Sequence, residues 1–336
     1  MNKKNIIIVA TVLLLFACAS CGTNNSKASA QQTEMTQAIK VPVFDADSAY
    51  QYTKAQVDFG PRVPNTKQHV ACGEYLAKKL AEQGATVINQ YADIAAYDGT
   101  ILKVRNIIGS FNPETKKRVL LFAHWDTRPW ADNDKDEKNH YTPILGANDG
   151  ASGVGVLLEI ARLIGESKEK PTIGIDIIFF DAEDYGTPQF YKGNHDENSW
   201  CLGTQYWAHN PHVEGYNARF GILLDMVGGK QATFFREGYS NRYAKSTLNK
   251  VWEKANNLGY GSFFVNQDGG LVTDDHLFVN EIANIPSIDI IPTDESNQQS
   301  SFGYFWHTLD DNMDVIDKST LKAVGQTVLE VIYNEK

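Results

Sequence analysis

Three apolar runs break off at an acid or a histidine: RVLLFAHWD (118–126), IGIDIIFFD (173–181) and RFGILLD (219–225); a fourth, PSIDII (286–291), follows near the end. Runs this short and this continuously apolar read as strands covered on both faces. ATVINQYADI (85–94), ILKVRNIIGSF (101–111) and GSFFV (261–265) also read as strands. Helix-spaced segments lie between them. These are VPNTKQHVACGEYLAKKLAEQG, closed by Gly84, then GVGVLLEIARLIG (153–165), a helix from about Tyr239 to Asn257, a short one after Thr273 and a final one after Asp317. Strand and helix alternate, so the expected fold is α/β: a single three-layer sandwich around a central mixed, mainly parallel twisted sheet. The folded part is expected to begin near Val41 and to run to the end as one domain, 41–336.

In such sheets ligands bind beyond the carboxyl ends of the strands. His124, Asp126, Glu183, Asp184 and Asp225 all fall there. Asp181, Glu183 and Asp184 crowd the rim of an apolar core, where carboxylates repel and lose hydration, and a cation relieves both costs. Asp149, in GANDGASGVG, precedes a helix. The glycines there do not make a phosphate loop, because Asp149 puts a negative charge at its mouth and the loop lysine is missing. His307 follows Phe305 and Trp306 in FWHTLDDN. Each residue has a plain local explanation as a strand cap, a turn or a core histidine, but together they offer carboxylates and an imidazole of the kind that ligate zinc. A spare carboxylate beside a ligand is a candidate general base.

The first segment, MNKKNIIIVATVLLLFACASCG, has two lysines and an apolar run too short to span a bilayer, the pattern of a secretory signal. LFAC and CASC resemble the lipobox of bacterial lipoproteins. That resemblance implies a lipoprotein-type signal over 1–21, with Cys18 or Cys21 lipidated, and a location in the bacterial cell envelope, periplasmic and lipid-anchored. Residues 22–40 are polar and aperiodic, a flexible tether. With 42% hydrophobic residues the chain can bury a large core, and its net charge of −10 argues against nucleic acid or an anionic membrane surface as a partner. Membrane contact is expected only through the anchor. Cys72 and Cys201 are then the cysteines of the folded part; they either pair or stay free, and their spacing makes no zinc site.

The order and spacing of AHWDTR, GANDGASGV, IIFFDAED, ILLDMVGG, TDDHLFV and FWHTLDDN resemble the zinc aminopeptidase-like superfamily, and within it the animal-type (type II) glutaminyl cyclases and their bacterial relatives. Two features favour the cyclase branch. TDDH places Asp274 where aminopeptidases usually carry Ser, and Trp306 stands directly before the histidine. Glu183-Asp184 departs from the Glu-Glu of the animal enzymes, and the Trp-rich loop that follows there has no clear counterpart in YGTPQFYKGNHDENSW.

The resemblance implies one zinc ion on Asp149, Asp184 and His307, and Glu183 as acid/base with Asp225 and Asp274 as acidic partners. It also implies an apolar clamp from Trp306 and Phe302, with His124 and Asp126 supporting the ligands from behind. The implied activity is that of a glutaminyl-peptide cyclotransferase acting on peptides and proteins with an N-terminal Gln; separately, the chain is expected to be a monomer. The competing expectation is a two-zinc aminopeptidase in which Asp149 bridges the metals, His124 and Asp225 hold the second ion and Glu183 activates water.

Overall fold

A computed structural model describes residues 40–297 and 300–336. The expected signal, 1–21, and all but the last residue of the tether lie outside the described residues. Residues 39–336 form one compact unit. In chain order its elements are α1 (Ala46–Val57), α2 (Lys67–Glu82), β1 (Thr86–Ala95), β2 (Ile101–Phe111), β3 (Arg118–His124), α3 (Ala151–Glu166), β4 (Gly174–Phe180) and α4 (Leu202–His209). There follow β5 (Gly221–Leu224), β6 (Phe234–Arg236), α5 (Gly238–Tyr243), α6 (Lys245–Asn257), β7 (Phe264–Asp268), α7 (Asp275–Glu281), β8 (Ser287–Ile290) and α8 (Lys318–Asn334).

Among the described residues the main sheet runs β1-β2-β4-β3-β5-β8. β4, β3, β5 and β8 are mutually parallel, while β1 and β2 form an antiparallel flank joined antiparallel to β4. Side chains alternate across the strands. Leu121, Ala123, Ile177, Phe179 and Ile222 join a core with residues of α1, α2, α3 and α8, whereas Leu120, Phe122, Ile178, Phe180 and Leu223 pack with Trp207 of α4 and Val279 of α7. Burial of each such large side chain contributes about 1.5–3 kcal/mol, and both faces of the sheet are covered, giving the expected three layers. Gly153 and Gly155 serve this packing: a Cβ would lie 2.1 Å from the Leu224 carbonyl at 153 and 2.2 Å from Thr53 Oγ1 at 155. α3 therefore lies directly against β5 and α1.

The helix expected from about Tyr239 to Asn257 is two helices. Glu237 accepts the N–H groups of Tyr239 (2.7 Å) and Ser240 (2.6 Å), and Ser240 Oγ accepts the Asp289 N–H (2.9 Å), which ties α5 to β8. Leu248, Val251, Trp252 and Ala255 are buried on a different line, in α6, which packs on α8 and β7. The chain bends at Ala244 (φ −135) to serve both. GSFFV begins its strand only at Phe264, with Gly261–Phe263 in a turn.

Candidate metal centre and active site

The carboxyl ends of β3, β4 and β5 deliver His124, the 181–184 turn and Asp225 to one rim of the sheet. Of the three crowded acids only two enter the pocket. Asp181 turns back, accepting from His69 Nε2 (2.9 Å), the Arg105 N–H (2.6 Å) and the Ala182 N–H (2.8 Å). Ala182 then takes a left-handed conformation (φ +52), and Asp126 accepts the N–H groups of Glu183 (3.1 Å) and Asp184 (3.2 Å), which fixes both carboxylates toward the pocket.

Asp149, Asp184 and His307 converge, with one ligand atom of each within 4.8 Å of the others. His307 Nε2 lies 3.2 Å from Asp184 Oδ1 and 3.6 Å from Asp149 Oδ2. All three are buried, and Asp184 Oδ1, Asp184 Oδ2 and Asp149 Oδ2 have no hydrogen-bond partner among the described residues. Buried carboxylate oxygens left this way are costly. A zinc-type ion fits them, since the donors are the hard oxygens and imidazole nitrogen it takes.

Each ligand is held from behind. Asp311 accepts the N–H groups of Asn148 (2.7 Å) and Asp149 (3.0 Å), and Gly150 (φ +96) lets the chain turn where a Cβ would lie 2.6 Å from the Asp126 carbonyl. His307, itself left-handed (φ +54), has Nδ1 3.5 Å from Asp132 Oδ1. Arg128 grips Asp132 through two 2.7 Å bonds. Burial pushes the Asp132 carboxyl up, but Arg128 and His307 outweigh it and hold it at about 2. Burial and the Asp149 charge carry Asp311 the other way, to about 8. Asp132, Arg128 and Asp311 were not singled out in the sequence; the carboxylate behind the histidine is a common signature of metal ligation, but the wide separation of Asp132 and His307 along the chain hides it.

Glu183 is buried beside the trio. Cys201 Sγ donates to its Oε1 (3.3 Å), and Asp274 completes a cluster with the two, one atom of each within 4.8 Å of the others. Asp225, expected with Asp274 as an acidic partner of Glu183, lines the same pocket and also sits against His124. His124 Nε2 is 3.2 Å from Asp225 Oδ1 and 3.0 Å from Asp149 Oδ1, and these three form a second convergent group. His124 Nδ1 is 3.5 Å from Asp126 and 4.0 Å from Glu183 Oε2. Burial raises the Glu183 carboxyl well above its usual range; His124 opposes this, and Asp274, Asp184 and Asp275 add to it. Burial and Asp225 bring Asp274 to about 7, and burial, offset by His124, brings Asp225 to about 6. The site can therefore hold protons at neutral pH.

The pocket above has a volume of about 210 Å³, room for little more than one residue. Phe302 and Trp306 line it with centroids 5.2 Å apart, and Trp306 stacks on His307 at 3.7 Å. Trp200 lies parallel to His307 at 6.0 Å, with the Arg128 guanidinium 4.6 Å from its ring. Trp200 comes from the stretch in which no counterpart of the Trp-rich loop was recognised. It stands just before Cys201 (φ +55), where three successive N–H groups, Cys201 to Gly203, bond the carbonyls of Glu183, Ala182 and Asp181 (each 3.0 Å). Cys72 and Cys201 are free and buried.

Comparison with known proteins agrees with this geometry. The crystal structure of Bacteroides thetaiotaomicron glutaminyl cyclase bound to N-acetylhistamine superposes with a TM-score of 0.86 at 69% identity, covering 88% of this chain and all of that one. That of a leucine aminopeptidase precursor from the same organism gives 0.85 at 68% identity, covering 89% and 100%. The glutaminyl-peptide cyclotransferase of Drosophila melanogaster is 27% identical over 289 residues, 77% of this chain and 73% of the fly protein. The model of peptidase family M28 matches residues 106–332. With more than half its length matched, and the acids and histidines of the site inside the match, the chain belongs to peptidase family M28.

Proposed function

We propose that this chain is a zinc-dependent glutaminyl-peptide cyclotransferase, converting the N-terminal glutamine of peptides and proteins to pyroglutamate with release of ammonia. The observation that carries the reading is the placement of Glu183, a buried carboxyl tuned to hold a proton, beside Asp149, Asp184 and His307 in a pocket sized for one residue. The relatives named glutaminyl cyclase support it, and so does N-acetylhistamine, whose imidazole is a metal-binding group.

Asp149, Asp184 and His307 would hold one zinc ion, which supplies a Lewis acid for the side-chain carbonyl of the glutamine. Glu183 takes a proton from the α-nitrogen as that nitrogen attacks the side-chain amide carbonyl carbon (Cδ), then gives it to the departing amide nitrogen, whose bond to that carbon breaks and which leaves as ammonia. Asp274, next to Glu183, raises the Glu183 pKa and so helps it hold that proton. Trp306, Phe302 and Trp200 form an apolar clamp that keeps the glutamine side chain folded toward its own amine, the main requirement of an intramolecular reaction. In this one-metal reading the His124 imidazolium bridges Asp149 and Asp225, supplying the positive charge between them. Burial works against the charged imidazole, but Asp126, Asp149 and Asp225 raise its pKa well above the usual value. Lipid anchoring in the cell envelope rests on residues 1–21 alone and is checked by the mass of the mature N-terminus.

A second reading is favoured by the His124–Asp149–Asp225 group, which offers three atoms to a second ion, as a two-zinc aminopeptidase requires. One experiment separates the two. Ammonia release from a Gln-initiated peptide, lost on chelation and restored when one equivalent of zinc is added back, supports the cyclase. Restoration that needs two equivalents and yields a free amino acid supports the aminopeptidase.

A further inference from the structure

Asp289 is the one acid within β8, a strand otherwise made of Ser and Ile. It is fully buried, at 0% exposure, and neither of its carboxyl oxygens has a hydrogen-bond partner among the described residues. It faces Asp274 and His276, with one atom of each within 4.8 Å of the others. Asp274 caps α7, its Oδ1 taken by the Asp275 N–H (2.5 Å) and its Oδ2 without a partner. Glu237 Oε2 holds His276 Nε2 at 3.0 Å, leaving Nδ1, also without a partner, 3.7 Å from Asp289 Oδ2. Three buried side chains thus converge, each with at least one polar atom that has no hydrogen-bond partner among the described residues.

A cation fits poorly here. Asp274 lines the catalytic pocket, whereas Asp289 and His276 do not and are fully buried behind it. One proton resolves the arrangement instead. Two ionised carboxylates side by side in a dry site repel, and a single shared proton turns the repulsion into a charge-assisted hydrogen bond. The surrounding charges select Asp289 as its carrier: burial first, then Asp274, Asp225 and Glu237, all raise its carboxyl well above the ordinary range. Ser240 Oγ accepts its N–H and fixes its backbone.

We propose that Asp289 is a positioning residue of the cyclisation, a neutral carboxylic acid whose O–H donates to Asp274 Oδ2 and keeps that carboxylate aimed at Glu183. The inference rests on the reading of Glu183 as the acid/base. Asp289 keeps its proton throughout the cycle, Asp274 stays ionised, and the proton moved between the two substrate nitrogens travels on Glu183 alone.

The test compares zinc-loaded wild-type protein with Asp289→Asn and Asp289→Leu. Asn supplies an N–H in place of the O–H, so D289N keeps kcat within about threefold of wild type. D289L, which supplies no donor, loses about ten- to a hundredfold in kcat with KM little changed. A kcat loss in D289N equal to that in D289L overturns the proposal. Infrared difference spectroscopy of wild type minus D289N, read without turnover, shows the carbonyl stretch of a protonated carboxylic acid at pH 8. Wild type that cyclises but lacks this band overturns this inference alone; wild type that shows the band yet cyclises nothing overturns the cyclase reading, and the positioning role falls with it. Metal analysis gives equal zinc in all three proteins, and an ion lost only from the variants identifies a cation site and overturns the proposal.

Discussion

Glu237 anchors the wall behind Asp274, and replacing it by Gln gives a stability change whose pH dependence can be calculated. Its carboxylate accepts from the Tyr239 N–H (2.7 Å), the Ser240 N–H (2.6 Å), Ser240 Oγ (2.7 Å), the Val272 N–H (3.1 Å) and His276 Nε2 (3.0 Å). Burial pushes its carboxyl up, but His276 and Ser240 outweigh it and lower it from 4.5 to about 2. A carboxyl depressed by folding stabilises the fold above its unfolded pKa, and that contribution disappears as pH falls through the folded value. At pH 7 the ionised Glu237 therefore contributes about 3 kcal/mol, of which roughly 2 is lost by pH 3. E237Q cannot titrate. Its deficit relative to wild type, measured by denaturant unfolding at both pH values, shrinks by about 2 kcal/mol from pH 7 to pH 3. Carboxylates that titrate alike in both proteins cancel from this difference. A deficit that does not change with pH refutes the assignment of Glu237 as the buried anion that orients His276.

Glu183→Gln keeps its metal, because the side chain is outside the Asp149–Asp184–His307 trio, but lowers kcat by about 10²- to 10⁴-fold; equal metal content with near-normal turnover contradicts the acid/base role. Asp132→Asn weakens zinc binding by about 10- to 100-fold, read by competition with a chelator, because it loosens the carboxylate behind His307. Gly203→Ala places a Cβ 2.1 Å from the Asp181 carbonyl, so the start of α4 must move. It costs about 1–3 kcal/mol in unfolding free energy and lowers kcat by displacing Cys201 from Glu183.

What the sequence disclosed followed the range of each interaction. Strands such as FGILL and IDIIFF carry their burial in continuous apolar runs, and the acids that end them mark the rim of the sheet, so the fold and the residues converging on the pocket were legible. α1 and α4 were not, since α1 buries Thr53 and Gln56 beside Ala49 and Val57, and α4 follows a polar stretch. Local periodicity also missed the bend at Ala244, which is set by what the two halves pack against. The supports of the site were hidden for a related reason. Asp132 behind His307, Asp311 beneath Asp149 and Asp289 against Asp274 gain meaning only from partners distant in sequence or on another element. Asp289 did carry one visible trace, an acid between two isoleucines inside a fully buried strand.

The central claim is tested most directly by mass spectrometry of two peptides, one beginning with Gln and one with Leu, each incubated with the zinc-loaded protein. The account predicts that the Gln peptide loses the mass of one ammonia with its chain length unchanged, while the Leu peptide stays intact. Shortening of either peptide by its first residue contradicts the account and assigns the site to hydrolysis, with His124 and Asp225 as ligands of a second metal ion.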